Sequence, residues 1–437
     1  MHYCLYFCYQ FNYSDLAVFF YNIFLWLFRA GTYMASLFNQ KADKWVKGRK
    51  NIFNRLEAAI PVHEKIIWMH CASLGEFEQG RPLLENIKNQ YPAYKILLTF
   101  FSPSGYEVQK NYRGADWVFY LPMDSPGNAR RFLEIVHPSL VIFIKYELWH
   151  YYLKKIKYRK IPLLLVSALF RKDMSFFKWY GGLQRKMLSR FDHLFVQTKE
   201  SKELVDAIGL SAICTVSGDT RFDRVIEIAA TFEPIPLIAD FIGNGKAIVA
   251  GSTWPEDEEI LQKVFTAMDD PSLRLIIAPH EINERHLDDI SRLFPDALRY
   301  SSLPDSDHGS SKVLVIDNVG MLSRLYKYAW ITYVGGGLKS NGVHNVLEAA
   351  VYNKIVFFGP YYQKYIEAVG LVKSGGGLSF MDEKKDGEML RLLIEALIID
   401  EDEFNFRSKA AGEFVHSQKG ASQKIIHFIQ EKRLLTN

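Results

Sequence analysis

Short hydrophobic runs alternate with amphipathic stretches along most of this chain, and this alternation restricts the possible folds more than any other feature. The runs in the first half are hydrophobic almost throughout: IIWMHCAS, KILLTFF, WVFYLP, LVIFI, PLLLVSA, HLFVQT and ICTVSG. Such runs are typical of strands buried on both faces of a parallel sheet. The stretches between them, such as EQGRPLLENIKNQ and GNARRFLEIVH, predict connecting helices. The pattern therefore predicts an α/β fold.

A second series begins near Lys246, with the runs KAIVAGS, LRLIIAPH, VLVID, WITYVGG and KIVFFGP. In a chain of 437 residues, two series predict two Rossmann-like domains facing a cleft. The segment IEIAATFEPIPLIADF contains two prolines and is interpreted as the linker between them. The expected organisation is a membrane-associated segment, an N-terminal Rossmann-like domain, a C-terminal Rossmann-like domain and a C-terminal helix, at residues 1–45, 46–228, 241–400 and 401–437.

The N-terminal segment is unusually apolar, because LAVFFYNIFLWLF runs from Leu16 to Phe28 before Arg29 interrupts it. A basic cluster follows, formed by Lys41, Lys44, Lys47, Arg49, Lys50 and Arg55. This combination suits an anionic cytoplasmic leaflet and predicts membrane association. A single spanning helix and a helix lying in the interface both remain open, and a buried core helix is the ordinary alternative.

Charge and cysteine content narrow the functional classes. The formal net charge of +4 argues against a nucleic-acid-binding protein, which would show a larger basic excess. The cysteines, Cys4, Cys8, Cys71 and Cys214, form no CxxC pair, and no histidine cluster has zinc spacing. We therefore expect neither a disulfide framework nor a structural metal.

Ligands of doubly wound sheets bind just beyond the carboxyl ends of the strands, so residues at these positions are candidates for function. Glu76 opens a helix after HCASLG, where the helix dipole favours an ionised carboxylate that could accept a proton. Glu147 follows a buried strand, and Arg221 follows another, where it could neutralise a departing phosphate. Ordinary helix-start, ion-pair and surface roles are the alternatives for these three residues.

The second half holds the richest segment, in which three glycines, Gly335 to Gly337, precede NGVHNVLE. Glycines at a strand end let the backbone approach a ligand, and a following helix presents its N-terminus to an anion. The segment is not the GxGxxG dinucleotide fingerprint, but it favours nucleotide binding over a simple turn. In the first half, Ser102-Pro103-Ser104-Gly105 is interpreted mainly as a helix cap.

Taken together, these segments resemble one family, the 3-deoxy-D-manno-octulosonic acid (Kdo) transferases of lipopolysaccharide synthesis. The pieces occur in family order: WMHCASLGE, SPSGYE, PMDSPGNARRFLEIVHPSLVIFIKYELW, SALFRKDMS, GDTRFD, AGSTWPEDEE, APHEINER, VGGGLKSNGVHNVLE and FFGPYYQKY. The resemblance implies the GT-B fold and an inverting transfer of Kdo from CMP-Kdo to a lipid A precursor (lipid IVA). It also implies the cytoplasmic face of the inner membrane, no metal and no other cofactor.

The resemblance assigns roles to single residues. Glu76 corresponds to the general base, Glu147 to an acidic residue implicated in the transition state, and Arg221 to a basic residue of the family. The CMP contacts correspond to Pro279, His280, Val319, Gly320, Met321, Asn345, Val346, Leu347 and Glu348. The implied reaction is a direct displacement in which CMP leaves as an anion.

Several positions depart from the family pattern. Lys145 stands where a second glutamate is usual, His150-Tyr151 replaces Pro-Asn, Arg221 replaces a lysine, and His280-Glu281 replaces Arg-His. Two alternatives therefore stay open. One is a GT-B enzyme that uses a UDP-sugar, and the other is a sugar-nucleotide-binding protein without catalysis.

Overall fold

The computed structural model describes residues 13–305, 311–381 and 387–436. The chain divides into two compact units. Unit 1 comprises Met1–Arg221 and Gly420–Asn437, and unit 2 comprises Phe222–Lys419. Two of the cysteines discussed above, Cys4 and Cys8, lie outside the described residues, as does the start of the N-terminal segment.

Unit 1 contains a seven-stranded parallel sheet, and each of its predicted strands is confirmed. The strands are β1 Ile66–Cys71, β2 Lys95–Phe100, β3 Trp117–Tyr120, β4 Pro138–Ile144, β5 Leu163–Ala168, β6 His193–Val196 and β7 Cys214–Val216. Their order in the sheet is β3-β2-β1-β4-β5-β6-β7. Every residue of β1 and β5 is buried, as expected for strands covered on both faces.

Helices cover both faces of this sheet. Those that precede unit 2 in the chain are α1 Tyr13–Ala35, α2 Gln40–Gly48, α3 Ile52–Ala59, α4 Leu74–Gln90, α5 Pro103–Gln109, α6 Pro126–Val136, α7 His150–Tyr158, α8 Gly182–Leu188 and α9 Lys199–Ala207. The Ser102 hydroxyl accepts a hydrogen bond from the backbone N–H of Ser104 at the start of α5, which confirms the predicted cap.

Unit 2 contains a second parallel seven-stranded sheet. Its strands are β8 Lys246–Thr253, β9 Leu273–Pro279, β10 Leu298–Arg299, β11 Val313–Val315, β12 Ile331–Val334, β13 Val356–Phe358 and β14 Gly377–Ser379, in the order β10-β11-β9-β8-β12-β13-β14. The two strands at the edges, β10 and β14, were not expected from the sequence. Their sequences are Leu-Arg and Gly-Leu-Ser, so each has a single large apolar residue and neither produces a hydrophobic run.

The remaining helices follow in chain order. They are α10 Thr220–Ala230, α11 Ile238–Ile242, α12 Pro255–Met268, α13 Glu284–Leu293, α14 Leu322–Leu325, α15 Leu347–Ala350, α16 Ile366–Ser374, α17 Glu388–Ile399, α18 Glu401–Ser417 and α19 Ala421–Glu431. Short 3-10 turns occupy Ser175–Phe177, Ser211–Ile213, Tyr300–Asp305 and Tyr326–Tyr328.

The expected linker is part of a folded unit. Ile235 and Ile238 of this segment are 4% and 0% exposed and lie in the core of unit 2. The division between units falls after Arg221 instead, within the first turn of α10. The two prolines suggested a connection between domains, but the apolar residues around them are buried in unit 2, so the linker prediction is wrong.

The C-terminal region was expected to form a single helix, but it forms two, α18 and α19. Gly420, at φ 106°, caps the start of α19 and separates it from α18. The break matters because Gly420–Asn437 belongs to unit 1, whereas α18 belongs to unit 2. Ile425, Ile426 and Ile429 of α19 are fully buried in the core of unit 1.

The N-terminal helix α1 continues through Arg29 and has two distinct faces. On one face, the Tyr21 hydroxyl donates to Asp124 Oδ2 at 2.6 Å, and the Phe28 ring packs against Trp45 and Phe101. The other face exposes large apolar side chains: Phe19, Phe20, Phe24, Trp26 and Leu27. The segment Leu16–Ala35 is long and apolar enough to cross a membrane by length and composition alone.

Candidate functional site

In unit 1, the Glu76 side chain lies just beyond the carboxyl end of β1, in the first turn of α4. The residue is only 9% exposed, and its Oε2 accepts a hydrogen bond from the Ala72 N–H. Burial, followed by the negative charge of Glu147, raises the pKa of the Glu76 carboxyl to about 7. The sequence suggested a carboxylate kept ionised by the helix dipole, but burial outweighs that effect. A carboxyl with this pKa is suited to accept a proton near neutral pH.

Glu147 follows β4, the strand that pairs with β1, so the two carboxyls come from neighbouring strand ends. Its Oε2 lies 3.8 Å from Nε2 of His70, a fully buried histidine. The other ring nitrogen of His70 lies 2.9 Å from the Thr99 hydroxyl oxygen. The sequence did not mark His70 for function, because a histidine inside a hydrophobic strand resembles an ordinary core residue.

Lys145 connects β4 to Glu147 and has a positive φ of 65°. Its positive charge lowers the pKa of Glu76 and so opposes the effect of Glu147. A lysine at the position where the resemblance expected a glutamate therefore changes the electrostatic surroundings of Glu76.

Arg221 ends unit 1 and forms an ion pair with Asp219 two residues earlier. Its Nε and Nη2 atoms lie 3.0 Å and 2.6 Å from Asp219 Oδ2. The other carboxylate oxygen of Asp219 accepts the Arg221 backbone N–H at 2.9 Å. These bonds hold the guanidinium in one orientation and offset part of its charge.

In unit 2, the candidate nucleotide-binding residues cluster at the carboxyl edge of the sheet. Thr253 pairs with Pro279 across β8 and β9, and Gly251 pairs with Val334 across β8 and β12. Consequently, the turns that begin at Trp254, His280 and Gly335 follow three adjacent strands. This is the location at which parallel α/β sheets bind ligands.

Asp257, in the first turn of α12, organises these turns. Its Oδ2 accepts the backbone N–H groups of Trp254 and Gly336 at 2.9 and 3.0 Å. Its Oδ1 accepts the Tyr333 hydroxyl at 2.7 Å. Gly335 is needed here because a Cβ would collide with the Ser252 carbonyl. The sequence showed an acidic helix start but gave no sign that one carboxylate joins two strand ends.

Three aromatic rings lie together at this edge. The Trp254 indole Nε1–H donates to His344 Nε2 at 2.9 Å, and the two rings are within 15° of parallel. The His280 ring stacks on both, with centroids 4.8 Å from Trp254 and 4.2 Å from His344. Burial, followed by the neighbouring His280, lowers the pKa of His344 to about 4.

The remaining candidate residues lie in neighbouring turns. Asn345 Nδ2 donates to Glu348 Oε1 at 2.9 Å, while Asn345 Oδ1 accepts the Leu347 N–H at 3.2 Å. Val346 and Leu347 are fully buried and hold this turn on the core. Val319 and Gly320 follow β11, with Val319 90% exposed, whereas Met321 is buried.

Unit 1 also contains a largely apolar cavity of about 580 Å³ between α1 and the region around α8. Glu147 and Trp149 line it next to Phe20 and Phe24 of α1, and the other lining residues include Phe176, Tyr180, Leu183 and Met187. Sequence patterns did not reveal this cavity, because its walls come from segments far apart in the chain. Among residues 13–305, 311–381 and 387–436, no group of three His, Cys, Asp or Glu side chains is arranged to hold a metal.

Comparison with known proteins identifies one family. The model of the family described as 3-deoxy-D-manno-octulosonic-acid transferase (kdotransferase) matches residues 47–224. The 3-deoxy-D-manno-octulosonic acid transferase of Aquifex aeolicus is 30% identical over 340 residues, which cover 76% of this chain and 86% of that protein. The Haemophilus influenzae protein of the same name is 24% identical over 372 residues, covering 83% and 86%.

Solved structures show the same fold at low sequence identity. UDP-GlcNAc 2-epimerase from Neisseria meningitidis has a TM-score of 0.59 and 16% identity, and the match covers 84% of this chain and 100% of that one. A glycosyltransferase from Rickettsia africae has a TM-score of 0.54 and 13% identity, covering 86% and 100%. These likenesses, with the two parallel seven-stranded sheets, confirm the GT-B-like fold class predicted from the sequence.

Proposed function

The chain belongs to the 3-deoxy-D-manno-octulosonic acid transferase family, and from this premise we propose that it transfers Kdo from CMP-Kdo to a lipid A precursor, lipid IVA, at the cytoplasmic face of the inner membrane. Family membership makes the chain a glycosyltransferase of lipopolysaccharide synthesis. The acceptor, the location and the roles of single residues are our proposal, and each is supported by a separate observation.

The buried Glu76 carboxyl is the observation that carries the proposed chemistry. A pKa of about 7 allows this group to be deprotonated before the reaction and protonated after it. Glu76 takes the proton of the acceptor hydroxyl as its oxygen attacks the anomeric carbon of Kdo. The bond from that carbon to the phosphate oxygen breaks, and CMP departs with the bonding pair. One displacement inverts the anomeric centre.

Unit 2 supplies the donor site in this proposal. The turns after β8, β9 and β12 offer backbone N–H groups and side chains at one sheet edge. The hydrogen bond between Asn345 and Glu348 fixes the orientation of these two side chains, whose polar atoms can bind the hydroxyl groups of a ribose. The Arg221 guanidinium, oriented by Asp219, is suited to stabilise the charge that develops on the departing phosphate.

The apolar cavity beside Glu147 supports a lipid acceptor. Its walls are mainly aromatic and aliphatic, and a volume of about 580 Å³ accommodates part of an acyl chain. We propose that an acyl chain of the acceptor lies there, next to the exposed face of α1.

We propose that α1 lies in the membrane interface. If Leu16–Ala35 crossed the bilayer, Tyr21 would lie in the hydrocarbon region, and its hydrogen-bond partner Asp124 would have to lie there too. Placing a carboxylate in the hydrocarbon region is energetically costly. Asp124 also accepts the backbone N–H groups of Tyr151 and Tyr152, which fixes it within the folded unit. A helix attached on one face and apolar on the other is typical of an interfacial anchor.

The test is incubation of the full chain with CMP-Kdo and lipid IVA, followed by mass spectrometry of the lipid. Glu76→Gln keeps the shape of the side chain and removes the base, so we expect turnover to fall by about 10²–10⁴-fold. CMP binding, measured by calorimetry, should stay within twofold of the wild type. Glu78→Gln, on the same helix, is the matched control and should retain activity.

Near-wild-type turnover in Glu76→Gln would remove Glu76 from the mechanism. Competition between CMP and UDP tests the donor, because a UDP-sugar enzyme would be inhibited by UDP at the lower concentration. Binding of CMP by the wild type without any Kdo transfer would favour a sugar-nucleotide-binding protein that lacks catalysis.

A further inference from the structure

The contact between Trp254 and His344 fixes the protonation of the histidine ring. A neutral imidazole has one N–H group, and its other nitrogen accepts hydrogen bonds. Because the Trp254 indole donates to Nε2, this nitrogen is the acceptor and the proton resides on Nδ1. Burial and the neighbouring His280 oppose a second proton on the ring.

The surroundings hold both rings in place. The Trp254 backbone N–H is bound to the buried carboxylate of Asp257, which also binds the Gly336 N–H. The His344 backbone N–H donates to the Gly335 carbonyl at 3.1 Å. His280 covers the junction of the two rings. The pair therefore has little freedom to reorient.

The His344 ring turns its Nδ1 side away from this framework. A Cβ at Gly336 would lie 2.8 Å from Cδ2 and 3.1 Å from Nε2 of His344, so this edge of the ring lies against the glycine turn. Nδ1 is on the opposite edge, and no residue in the described part of the chain hydrogen-bonds to it. His344 thus presents a single oriented N–H group beside the proposed donor site.

We propose that Trp254 is a positioning residue for donor binding, which holds His344 as the neutral Nδ1–H tautomer so that the ring donates a hydrogen bond to an acceptor oxygen in the CMP part of the sugar nucleotide. The inference rests on the proposed function for the identity of the ligand. The tautomer itself is a property of the unliganded protein and can be measured without any substrate.

The turns next to His344 in the sheet edge also carry charged groups. Asp257 contacts Trp254 and Gly336, and Lys339 pairs with Glu256 at 2.5 Å. Burial lowers the pKa of His280, and the negative charge of Glu281 opposes this effect because it favours the protonated form of His280. The His280 ring in turn stacks on the ring of His344. These groups are present in every variant proposed below, so differences between variants report on the Trp254 contact.

The first measurement is a long-range ¹H–¹⁵N correlation spectrum of the full chain labelled with ¹⁵N-histidine, without ligand at pH 7. The His344 signals are assigned by their loss in His344→Gln. We expect the Nδ1–H pattern in the wild type and a shift toward the Nε2–H or charged form in Trp254→Phe, which keeps a stacking ring but has no donor. An Nε2–H pattern in the wild type would overturn the proposal, even if Trp254→Phe failed to fold.

The second measurement is CMP affinity by calorimetry. Loss of one oriented hydrogen bond predicts affinity weaker by roughly three- to tenfold in Trp254→Phe. Trp254→Gln restores an N–H donor without the ring, so recovery toward the wild type supports an effect through His344. Unchanged CMP affinity in Trp254→Phe, despite an altered tautomer, would overturn the role in donor binding. Absence of CMP binding in the wild type would instead contradict the proposed function and leave the tautomer result intact.

Discussion

At the level of single residues, the behaviour of Glu76 depends on two neighbours of opposite charge. Burial makes the largest contribution to its raised pKa, Glu147 raises the pKa further, and Lys145 lowers it. A base is active only when deprotonated, so the pKa of Glu76 should set the acid limb of the pH–rate profile. We therefore expect activity to rise with pH through about pH 7.

Substitution of the two neighbours should move this limb in opposite directions. In Glu147→Gln a negative charge is lost, the pKa of Glu76 falls, and the limb moves to lower pH. In Lys145→Gln a positive charge is lost, and the limb moves to higher pH. The measurement is the pH dependence of kcat/KM for each variant. Limbs that move in the same direction would contradict the assignment of the limb to Glu76.

The sequence identified part of this site. Glu76, Glu147 and the glycine turn were found because they follow strand ends, and strand ends are visible as the limits of hydrophobic runs. His70, Asp257 and Trp254 were not assigned functions, since their importance comes from contacts between strands distant in the chain. A pattern along the chain does not show which strands become neighbours.

At the level of elements, α1 combines attachment to unit 1 with an exposed apolar face. The sequence predicted an apolar helix followed by a basic cluster, and it placed Arg49 in that cluster. The structure assigns Arg49 a different role, because its guanidinium donates to the backbone carbonyls of Leu121, Trp45 and Phe101. Burial lowers the pKa of Arg49 to about 9. Composition reveals the number of basic residues, whereas their orientation depends on tertiary packing.

The exposed face of α1 gives a prediction about membrane binding. Trp26 and Leu27 are 68% and 56% exposed, and burial of such side chains in lipid contributes about 1.5–3 kcal/mol each. The double variant Trp26→Glu, Leu27→Glu should therefore bind vesicles of phosphatidylethanolamine and phosphatidylglycerol at least about 100-fold more weakly in a flotation assay.

The matched control is Ile399→Glu, which changes an 86% exposed isoleucine of α17 in unit 2. Equal loss of binding in the control would show that the effect is not specific to α1. Alkaline carbonate should release the wild-type chain from membranes if α1 lies in the interface. Retention after this extraction would favour a spanning helix.

At the level of the whole molecule, the strand order and the composition of the two units were only partly predictable. Long runs such as that of β4 marked the strands reliably, since strands buried on both faces are apolar throughout. The return of α19 to unit 1 was not predicted, because its helical pattern does not specify which surface it covers. The buried Ile235 was likewise assigned to a linker because the prolines around it dominate the local pattern.

This topology predicts that a substitution near the C-terminus destabilises unit 1. Ile426→Ala removes a fully buried side chain from the core beneath α4, and we expect a loss of about 2–5 kcal/mol of unfolding free energy. Urea denaturation, followed by tryptophan fluorescence, measures the change. Glu431→Ala, at an exposed position of the same helix, should change the stability by less than about 0.5 kcal/mol. Equal midpoints for the two variants would contradict the packing of α19.

The return of α19 also has a consequence for synthesis on the ribosome. Unit 2 is continuous in sequence, so all of its residues have been translated by Lys419. Unit 1 begins first but lacks a part of its core until α19 has been made. Domains generally fold as units during translation. The nascent chain therefore carries its apolar N-terminal helix through the whole synthesis of unit 2 before unit 1 can close, and a ribosome that stalls between Lys419 and α19 leaves the unit that began first incomplete.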